Sequence, residues 1–312
     1  MAGRFAPSPT GDLHVGNLRT ALLAWLAARA AGIGFVVRME DLDRVTSSPK
    51  HAERQLADLA ALGIDWDGPV LFQSERFDHY RAAIDELRAH GRVYPCYCTR
   101  REIAAAAAAP HGPVGGYPGT CRDLTPAERA DREAAGRPPA LRLRTDGERI
   151  GFVDRIAGPY EGAVDDVVLA RADGVPAYNL AVVVDDAAQG VTQVVRGDDL
   201  LESTPRQIML QRLLGLPQPE YAHIPLVVDG DGRRLAKRAG AANTAITLAD
   251  LVARGATPPA VAVALAQSLC VPAEPGARPG ELVAGLATDG FAGISRAPVD
   301  VHRIATELLP NR

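Results

Sequence analysis

Lysine is almost absent from this sequence: among 34 basic side chains in 312 residues, only Lys50 and Lys237 are lysines. Arginine therefore carries nearly all of the positive charge. Long apolar runs are also absent, since none approaches the roughly 18 residues that a membrane-spanning helix needs. The first residues lack the basic, apolar and small-residue order of a signal peptide. We therefore expect a cytoplasmic protein with no membrane partner.

Cysteine is scarce as well. Four cysteines in a chain of this length exclude a secreted disulfide framework. Cys270 lies in an apolar stretch and is expected in the core, whereas Cys96, Cys98 and Cys121 lie close together in sequence and are typical of metal ligands. A net charge of −4 excludes indiscriminate binding to nucleic acid and leaves only local basic patches for such contacts.

The order of apolar segments predicts an α/β fold. The segments "GRFA" and "FVVRME" indicate strands, and "NLRTALLAWLAARAAG" between them has helical spacing and ends at Gly32, a residue that favours a helix C-terminus. Helix–strand alternation returns in "YNLAVVVDD", "VTQVVRG", "TPRQIMLQRLLG" and "HIPLVV". Together these segments predict a Rossmann-type parallel sheet.

The middle of the chain differs in character and predicts an insertion between two halves of that sheet. The insertion would contain a cysteine-bearing loop at 96–121 and a small sheet formed by "ALRLRT", "IGFVDRI" and "DVVLARAD". The predicted organisation is a first half of the main domain at 1–93, the insertion at 94–177, the second half at 178–238 and a small helical module at 239–312.

The stretch "APSPTGDLHVGN" places His14 and Gly16 at a strand-to-helix turn, where free backbone N–H groups attract phosphate. Glycine lets a base or ribose approach the backbone, and an imidazole can donate a hydrogen bond to a phosphate oxygen. Taken alone, the pattern is equally consistent with an ordinary surface histidine near a turn.

A second glycine-flanked stretch, "GRRLAKRAG", carries Lys237. Such a loop can close on a triphosphate and neutralise charge while the α-phosphate is attacked. The alternative is a solvated basic loop. Because this chain uses arginine almost everywhere else, the lysine indicates a position that requires a compact ammonium group.

The two stretches together resemble the signature motifs of class I aminoacyl-tRNA synthetases in their glutamyl form, and the resemblance runs from Arg4 to about Arg238. It implies that the protein uses ATP with Mg²⁺ and forms an aminoacyl-adenylate. The residues it implicates in catalysis and ATP binding are His14, Gly16, Asn17 and Lys237. Arg234 and Ala236 depart from the second motif, which usually has lysine and serine at these positions, so loop closure can differ.

A small substrate with two carboxylates needs a cation at each end and an acceptor for its ammonium group. Arg4 and Arg196 can each hold a carboxylate through two parallel hydrogen bonds. Glu40 can bind the ammonium group, and Tyr178 can supply a hydroxyl. Without the resemblance, Arg196 and Glu40 are more typical of surface ion pairs. With it, these residues match the L-glutamate site of the family, whose floor would be Phe5, Ala6, Pro7 and Ser8.

Thiolates on both sides of a loop suit tetrahedral zinc, and "CYC" at 96–98 with "YPGTC" ending at Cys121 supplies three of them. His111 is a chemically ordinary fourth ligand. The resemblance favours Tyr117, because a branch of the family has a tyrosine four residues before its last zinc cysteine. Three free thiols in a reducing cytosol are the alternative. One zinc ion per chain would be structural, since its ligands lie in the insertion.

Only residues 239–312 follow the lysine-bearing loop, whereas a full glutamyl-tRNA synthetase continues with a domain that reads the anticodon. This length and the cysteine pattern resemble a shortened branch of the family. That branch activates L-glutamate without tRNA and transfers it to queuosine, the modified wobble base in the anticodon loop of tRNA(Asp).

Three alternatives stay open at this point: a minimal synthetase that charges the 3′ end of tRNA(Glu), a small-molecule nucleotidyltransferase, and a non-catalytic tRNA-binding paralogue. We expect a monomer. The candidate contacts to the tRNA backbone are Arg100, Arg101, Arg233, Arg234 and Arg238.

Overall fold

The computed structural model of the protein describes residues 1–107, 117–233, 235, 246–286 and 290–308. The strands in these ranges are β1 Ala2–Phe5, β2 Gly34–Met39, β3 Leu71–Phe72, β4 Val93–Cys96, β5 Ala140–Leu143, β6 Arg149–Asp154, β7 Gly158–Ala163, β8 Val168–Ala170, β9 Val191–Gly197, β10 Glu220–Ile224, β11 Val227–Val228 and β12 Val299–Asp300. The α-helices are α1 Val15–Ala30, α2 Pro49–Ala61, α3 Phe77–Ala89, α4 Arg100–Ala107, α5 Pro126–Ala134, α6 Tyr178–Ala188, α7 Thr204–Leu213, α8 Leu248–Ala253, α9 Pro258–Ser268, α10 Pro279–Gly285 and α11 Val301–Leu308. None of the described helices is long and apolar enough to cross a membrane.

The main sheet has five parallel strands in the order β10-β9-β1-β2-β3. Helix α1 connects β1 to β2, and α7 connects β9 to β10. The strand order changes direction between β1 and β9, and open parallel sheets bind ligands beyond the carboxyl ends of the strands at such a point. The predicted Rossmann-type sheet is confirmed.

Helix α1 lies buried at the centre of the protein. Most of its residues are buried, which explains why its apolar and alanine-rich sequence has no strongly polar face. The helix packs very closely on β1, because a Cβ atom at Gly3 would lie 2.9 Å from Cβ of Ala28. Its C-cap is Ala31, and Gly32 follows with a φ of 66°, as expected for a helix that ends at glycine. Helix α1 therefore holds the turn after β1 in a fixed place above the sheet.

The insertion does not form the one small sheet that we predicted. Strands β4, β5 and β8 form a three-stranded antiparallel sheet, whereas β6 and β7 form a separate hairpin. The hairpin packs toward the main sheet, since the ring centroids of Phe152 on β6 and Tyr221 on β10 are 5.7 Å apart. Because β6 packs against β10, it does not pair with β4, β5 or β8. The same packing places Asp154, at the end of β6, at the edge of the main sheet.

The C-terminal helices share a core with the first half of the chain. One hydrophobic cluster contains Leu22 of α1, Phe35 of β2 and Leu265 of α9. Outside the helices, β11 pairs with β12 in parallel. The four predicted segments remain a prediction, but the hydrophobic packing joins the first of them to the last.

Candidate active site

The predicted glutamate-site residues come together at the carboxyl ends of β1, β2 and β9. Arg4 lies on β1, Arg196 lies near the end of β9, and Glu40 directly follows β2. Arg4 pairs with Val194 in the β1–β9 ladder, so Arg196 is two residues further along the same face of the sheet. Tyr178 is the first residue of α6. The fold thus joins arginines that are far apart in sequence at the change in strand order.

A network of charges surrounds Arg4 and Glu40. Nε of Arg4 lies 3.6 Å from Oδ1 of Asp186, and Nη1 of Arg38 donates to the same oxygen at 2.8 Å. Nη2 of Arg38 lies 3.5 Å from Oε1 of Glu40. Burial raises the pKa of the Glu40 carboxyl, and the guanidinium groups of Arg38 and Arg4 counteract part of that rise. A buried carboxylate of this kind gains from a bound ammonium group, because the added positive charge offsets the cost of burial.

Arg196 is a buried cation whose side-chain contacts are all neutral. Only 4 % of the residue is exposed. Nε donates to Nε2 of His223 at 2.9 Å, and Nη1 and Nη2 donate at 2.8 Å to Gln207 and Thr204, respectively. In the part of the chain that the structure describes, no carboxylate lies within 4.0 Å of this guanidinium group. A buried cation held in this way suits an incoming carboxylate.

The remaining predicted residues of this site are divided between its surface and the core. Ala6 and Ser8 are partly exposed, while Pro7 is buried and its carbonyl oxygen accepts a hydrogen bond from the Glu40 amide at 2.9 Å. Burial raises the pKa of the Tyr178 hydroxyl, and the nearby charge of Glu40 raises it further. The Phe5 side chain belongs to the main hydrophobic cluster, because adjacent strand residues face opposite sides and Arg4 occupies the other one.

His14 caps the N-terminus of α1. Its Nδ1 accepts hydrogen bonds from the backbone N–H groups of Gly16 at 3.1 Å and Asn17 at 3.4 Å, and the Asn17 side chain accepts one from the His14 amide at 3.3 Å. When Nδ1 accepts, a neutral ring carries its proton on Nε2, which is then the nitrogen that can donate to a phosphate. A Cβ atom at residue 16 would lie 3.0 Å from the His14 ring, so glycine permits this arrangement.

The loop around Lys237 lies outside the described residues, as do Arg234, Ala236 and Arg238. Its flanks are described. Leu235 is buried in the main hydrophobic cluster, and the carbonyl oxygen of Ile246 accepts a hydrogen bond at 2.9 Å from the amide of Val15. Thr247 forms an isolated bridge with His14. The chain therefore returns from this loop directly beside the first turn of α1.

The three cysteines of the insertion form a cluster with Tyr117. The sulfur atoms of Cys96, Cys98 and Cys121 all lie within 4.8 Å of one another. The Tyr117 hydroxyl oxygen lies 3.3 Å from the Cys96 sulfur and 3.8 Å from the Cys98 sulfur. Three thiols thus converge on one point, as the thiolate ligands of tetrahedral zinc do, and the Tyr117 hydroxyl oxygen lies beside them, where it also accepts a hydrogen bond at 2.8 Å from the amide of Cys121. His111, the alternative fourth ligand, lies outside the described residues.

A cleft of about 380 Å³ opens beside the charged site, and Pro9, Asp41 and Ser74 contribute to its lining. Two of its lining residues, Pro9 and Asp41, directly follow Ser8 and Glu40 in the sequence. The Asp41 carboxylate accepts hydrogen bonds from the amide and hydroxyl of Ser74 at 2.8 and 2.6 Å, which fixes one wall. The cleft is thus lined by residues that directly follow two predicted glutamate-site residues in the chain.

Comparisons with known proteins identify the family of this fold. Residues 1–267 match the family model described as tRNA synthetases class I (E and Q), catalytic domain. A solved glutamate tRNA ligase from Elizabethkingia meningosepticum, in complex with its amino acid, superimposes with a TM-score of 0.81 at 25% identity, covering 97% of this chain and 68% of that one. The fold is thus that of a class I tRNA synthetase catalytic domain, and this class of ligases uses ATP.

More similar relatives define the group within that class. The chain is 63% identical to a glutamyl-Q tRNA(Asp) synthetase of Nocardia farcinica over 91% of this chain and 88% of the relative. It is 52% identical to the protein of the same name from Symbiobacterium thermophilum over 96% of each chain. The chain belongs to the glutamyl-Q tRNA(Asp) synthetase family.

Proposed function

We propose that the protein activates L-glutamate with ATP, without needing tRNA, and then transfers the glutamyl group to queuosine at the wobble position of tRNA(Asp). The observation that carries the proposal is the pair of buried arginines at the change in strand order, with Glu40 beside Arg4 and only neutral partners around Arg196. This arrangement suits a substrate with two carboxylates and one ammonium group. The family relationship supports the same substrate.

In the first step, the α-carboxylate of glutamate attacks the α-phosphorus of ATP. A bond forms between the carboxylate oxygen and phosphorus, and the bond to the bridging oxygen breaks, so that pyrophosphate leaves with the electron pair. Arg4 and Arg196 hold the carboxylates, and Glu40 binds the ammonium group. His14 donates to a phosphate oxygen, and Lys237 neutralises the charge that develops on the phosphates. Mg²⁺ bound to the triphosphate would neutralise further charge.

In the second step, a hydroxyl of the queuosine cyclopentene ring attacks the carbonyl carbon of glutamyl-adenylate. The new ester bond forms, AMP leaves with the electron pair of the broken bond, and the hydroxyl proton is released. The cleft next to Glu40 would admit the unstacked base, since proteins read RNA most readily in single-stranded loops. We infer that the protein is a cytoplasmic monomer and that it acts on the anticodon loop of tRNA(Asp).

We also propose that Cys96, Cys98, Cys121 and Tyr117 bind one structural zinc ion per chain. The convergence of their donor atoms supports this assignment. The guanidinium carbon of Arg142 lies 3.7 Å from the centre of the Tyr117 ring and helps to hold that ring in place.

Transfer of labelled glutamate to purified tRNA tests the proposal. The expected result is label on tRNA(Asp) that carries queuosine, none on tRNA(Asp) without it and none on tRNA(Glu). Queuosine-bearing tRNA(Asp) that lacks its 3′-terminal adenosine should still accept glutamate, because the acceptor is the wobble base. Label that appears on tRNA(Glu) and requires the terminal adenosine would show instead a minimal synthetase that charges the 3′ end.

A further inference from the structure

A chain of three buried side chains runs from the insertion into the predicted glutamate site. The Asp154 carboxylate at the end of β6 contacts His223 on β10, and His223 contacts Arg196 on β9. Between 1 and 4 % of each of these residues is exposed. His223 and Asp154 carry no role in the chemistry described above.

The partners of His223 fix which of its nitrogens carries the proton. A guanidinium group can only donate, so Nε2 of His223, at 2.9 Å from Nε of Arg196, must present a lone pair. A neutral ring then carries its proton on Nδ1, which donates to Oδ2 of Asp154 at 2.6 Å. The other carboxylate oxygen of Asp154 accepts from the backbone N–H groups of Ile156, Ala157 and His223 at 2.8–3.1 Å. The imidazole is therefore held in one orientation and one tautomer.

The surroundings of His223 favour this neutral state. Burial lowers its pKa; the Asp154 carboxylate opposes that change, and the charges of Arg196 and Arg4 add to it. Tyr221 stacks on the His223 ring with centroids 6.1 Å apart, and because its own pKa is raised to about 12 it stays neutral. Protonation of Nε2 would remove an acceptor of Arg196 and place a second cation against it.

The geometry points to His223, held by Asp154, as a positioning residue for substrate binding: its neutral imidazole orients Arg196 toward the substrate carboxylate. This inference rests on the proposed role of Arg196 in binding glutamate. The Arg196 guanidinium group has five N–H donors, and three of them are used in the hydrogen bonds to His223, Gln207 and Thr204. One N–H therefore remains on Nη1 and one on Nη2, which is the number that two parallel hydrogen bonds to a carboxylate require. Loss of the hydrogen bond from Arg196 to Nε2 of His223 should therefore weaken glutamate binding more than it slows the chemical step.

Glutamate-dependent pyrophosphate exchange at saturating ATP and Mg²⁺ tests the inference between about pH 5.5 and 8, where the substrate side-chain carboxyl, with an ordinary pKa of about 4.3, stays ionised. In the unmodified protein, KM for glutamate should rise as the pH falls through the range in which His223 gains a proton, with kcat changing less. His223→Gln keeps an acceptor near Nε2 but cannot be protonated, so its KM should stay nearly constant with pH. His223→Ala should raise KM about 10- to 100-fold at every pH, the effect of losing one hydrogen bond to a charged group.

Matched variants separate this inference from the proposed function. His79→Gln changes an exposed histidine on α3 and should keep the pH profile of the unmodified protein. Arg196→Gln should abolish saturable use of glutamate, and a normal KM in that variant would overturn the proposed glutamate site itself. If Arg196→Gln has this effect but His223→Ala keeps the KM of the unmodified protein, or His223→Gln shows the same rise of KM in acid as the unmodified protein, the positioning role alone is wrong. ATP binding by each variant shows whether it is folded.

Discussion

At the scale of single residues, Lys237 is the position where the choice of side chain is most informative. The chain has 34 basic residues, and only this one and Lys50 are lysines. An ammonium group concentrates its charge on one atom, whereas a guanidinium group spreads it over a plane. A loop that must deliver charge to a phosphate during the reaction needs the compact form.

Lys237→Ala should lower glutamate-dependent pyrophosphate exchange at least about 100-fold, the usual cost of removing one group that stabilises transition-state charge. KM for glutamate should change little, because other residues form the proposed glutamate site. Lys237→Arg should recover only part of the rate. Lys50→Ala, which changes the other lysine at an exposed position, is the matched control and should behave like the unmodified protein. Equal rates for Lys237→Ala and Lys50→Ala would remove the loop from the proposed mechanism.

Sequence reasoning reached some residues of the site and missed others for a physical reason. Arg4, Glu40 and Arg196 follow from the resemblance, and the fold brings all three close enough to Tyr178 for their charges to act on the pKa of its hydroxyl. His223 and Asp154 were missed, because nothing in a linear pattern shows that an inserted hairpin folds back onto β10. A signal was present, since His223 is a polar residue between the apolar residues Ala222 and Ile224 of β10, and buried polar residues need partners.

At the scale of elements, the strand and helix periodicities predicted the main sheet well but not the C-terminus of α9. Cys270 was expected in the core, and this expectation is wrong: the residue is exposed and has a φ of 61°. It follows the C-cap Leu269, where the chain turns out of the helix and glycine is the usual residue. An apolar neighbourhood predicts burial only inside an element, and Cys270 lies just beyond one.

Because Cys270 is exposed, the reactivity of the thiols can test whether the proposed zinc site binds metal. In zinc-loaded protein, one thiol should react quickly with a disulfide reagent, because Cys270 is exposed while the bound metal would occupy the three thiols of the insertion cluster. Removal of the metal with a chelator should make three further thiols reactive, those of the insertion cluster. Cys270→Ser is the control and should lose only the fast reaction. Four rapidly reacting thiols before chelation would contradict zinc binding by this cluster.

At the scale of the whole molecule, Arg19 ties the two ends of the chain together. It lies on α1 with 0% of its surface exposed. Nε and Nη2 donate to the hydroxyl and carbonyl of Ser268 at 3.1 and 3.2 Å, and Nη1 donates to the carbonyl of Pro225 at 2.9 Å. Burial lowers the pKa of Arg19 to about 10, so the group remains charged at neutral pH. Two hydrogen bonds of a buried cation thus join α1 to the end of α9, and a third joins α1 to the residue after β10.

Because α1 and α9 also share one hydrophobic cluster, we expect them to unfold as one unit. Arg19→Met keeps much of the side-chain volume but leaves the carbonyl groups of Ser268 and Pro225 without their donor. It should lower the free energy of unfolding by about 2–4 kcal/mol. Arg81→Met is the control: this arginine is paired with Asp78 but 65% exposed, and its loss should cost less than about 1 kcal/mol.

Amide hydrogen exchange provides the second measurement of this coupling. Protection in α1 and in α9 should fall by the same free energy in Arg19→Met, because both helices open only when the shared cluster opens. Loss of protection confined to α9 would show that the C-terminal helices open independently of the sheet. The predicted division of the chain before residue 239 would then describe a separate folding unit. The packing of α1 against α9 would in that case contribute little to the position of His14, the proposed phosphate-binding residue at the start of α1.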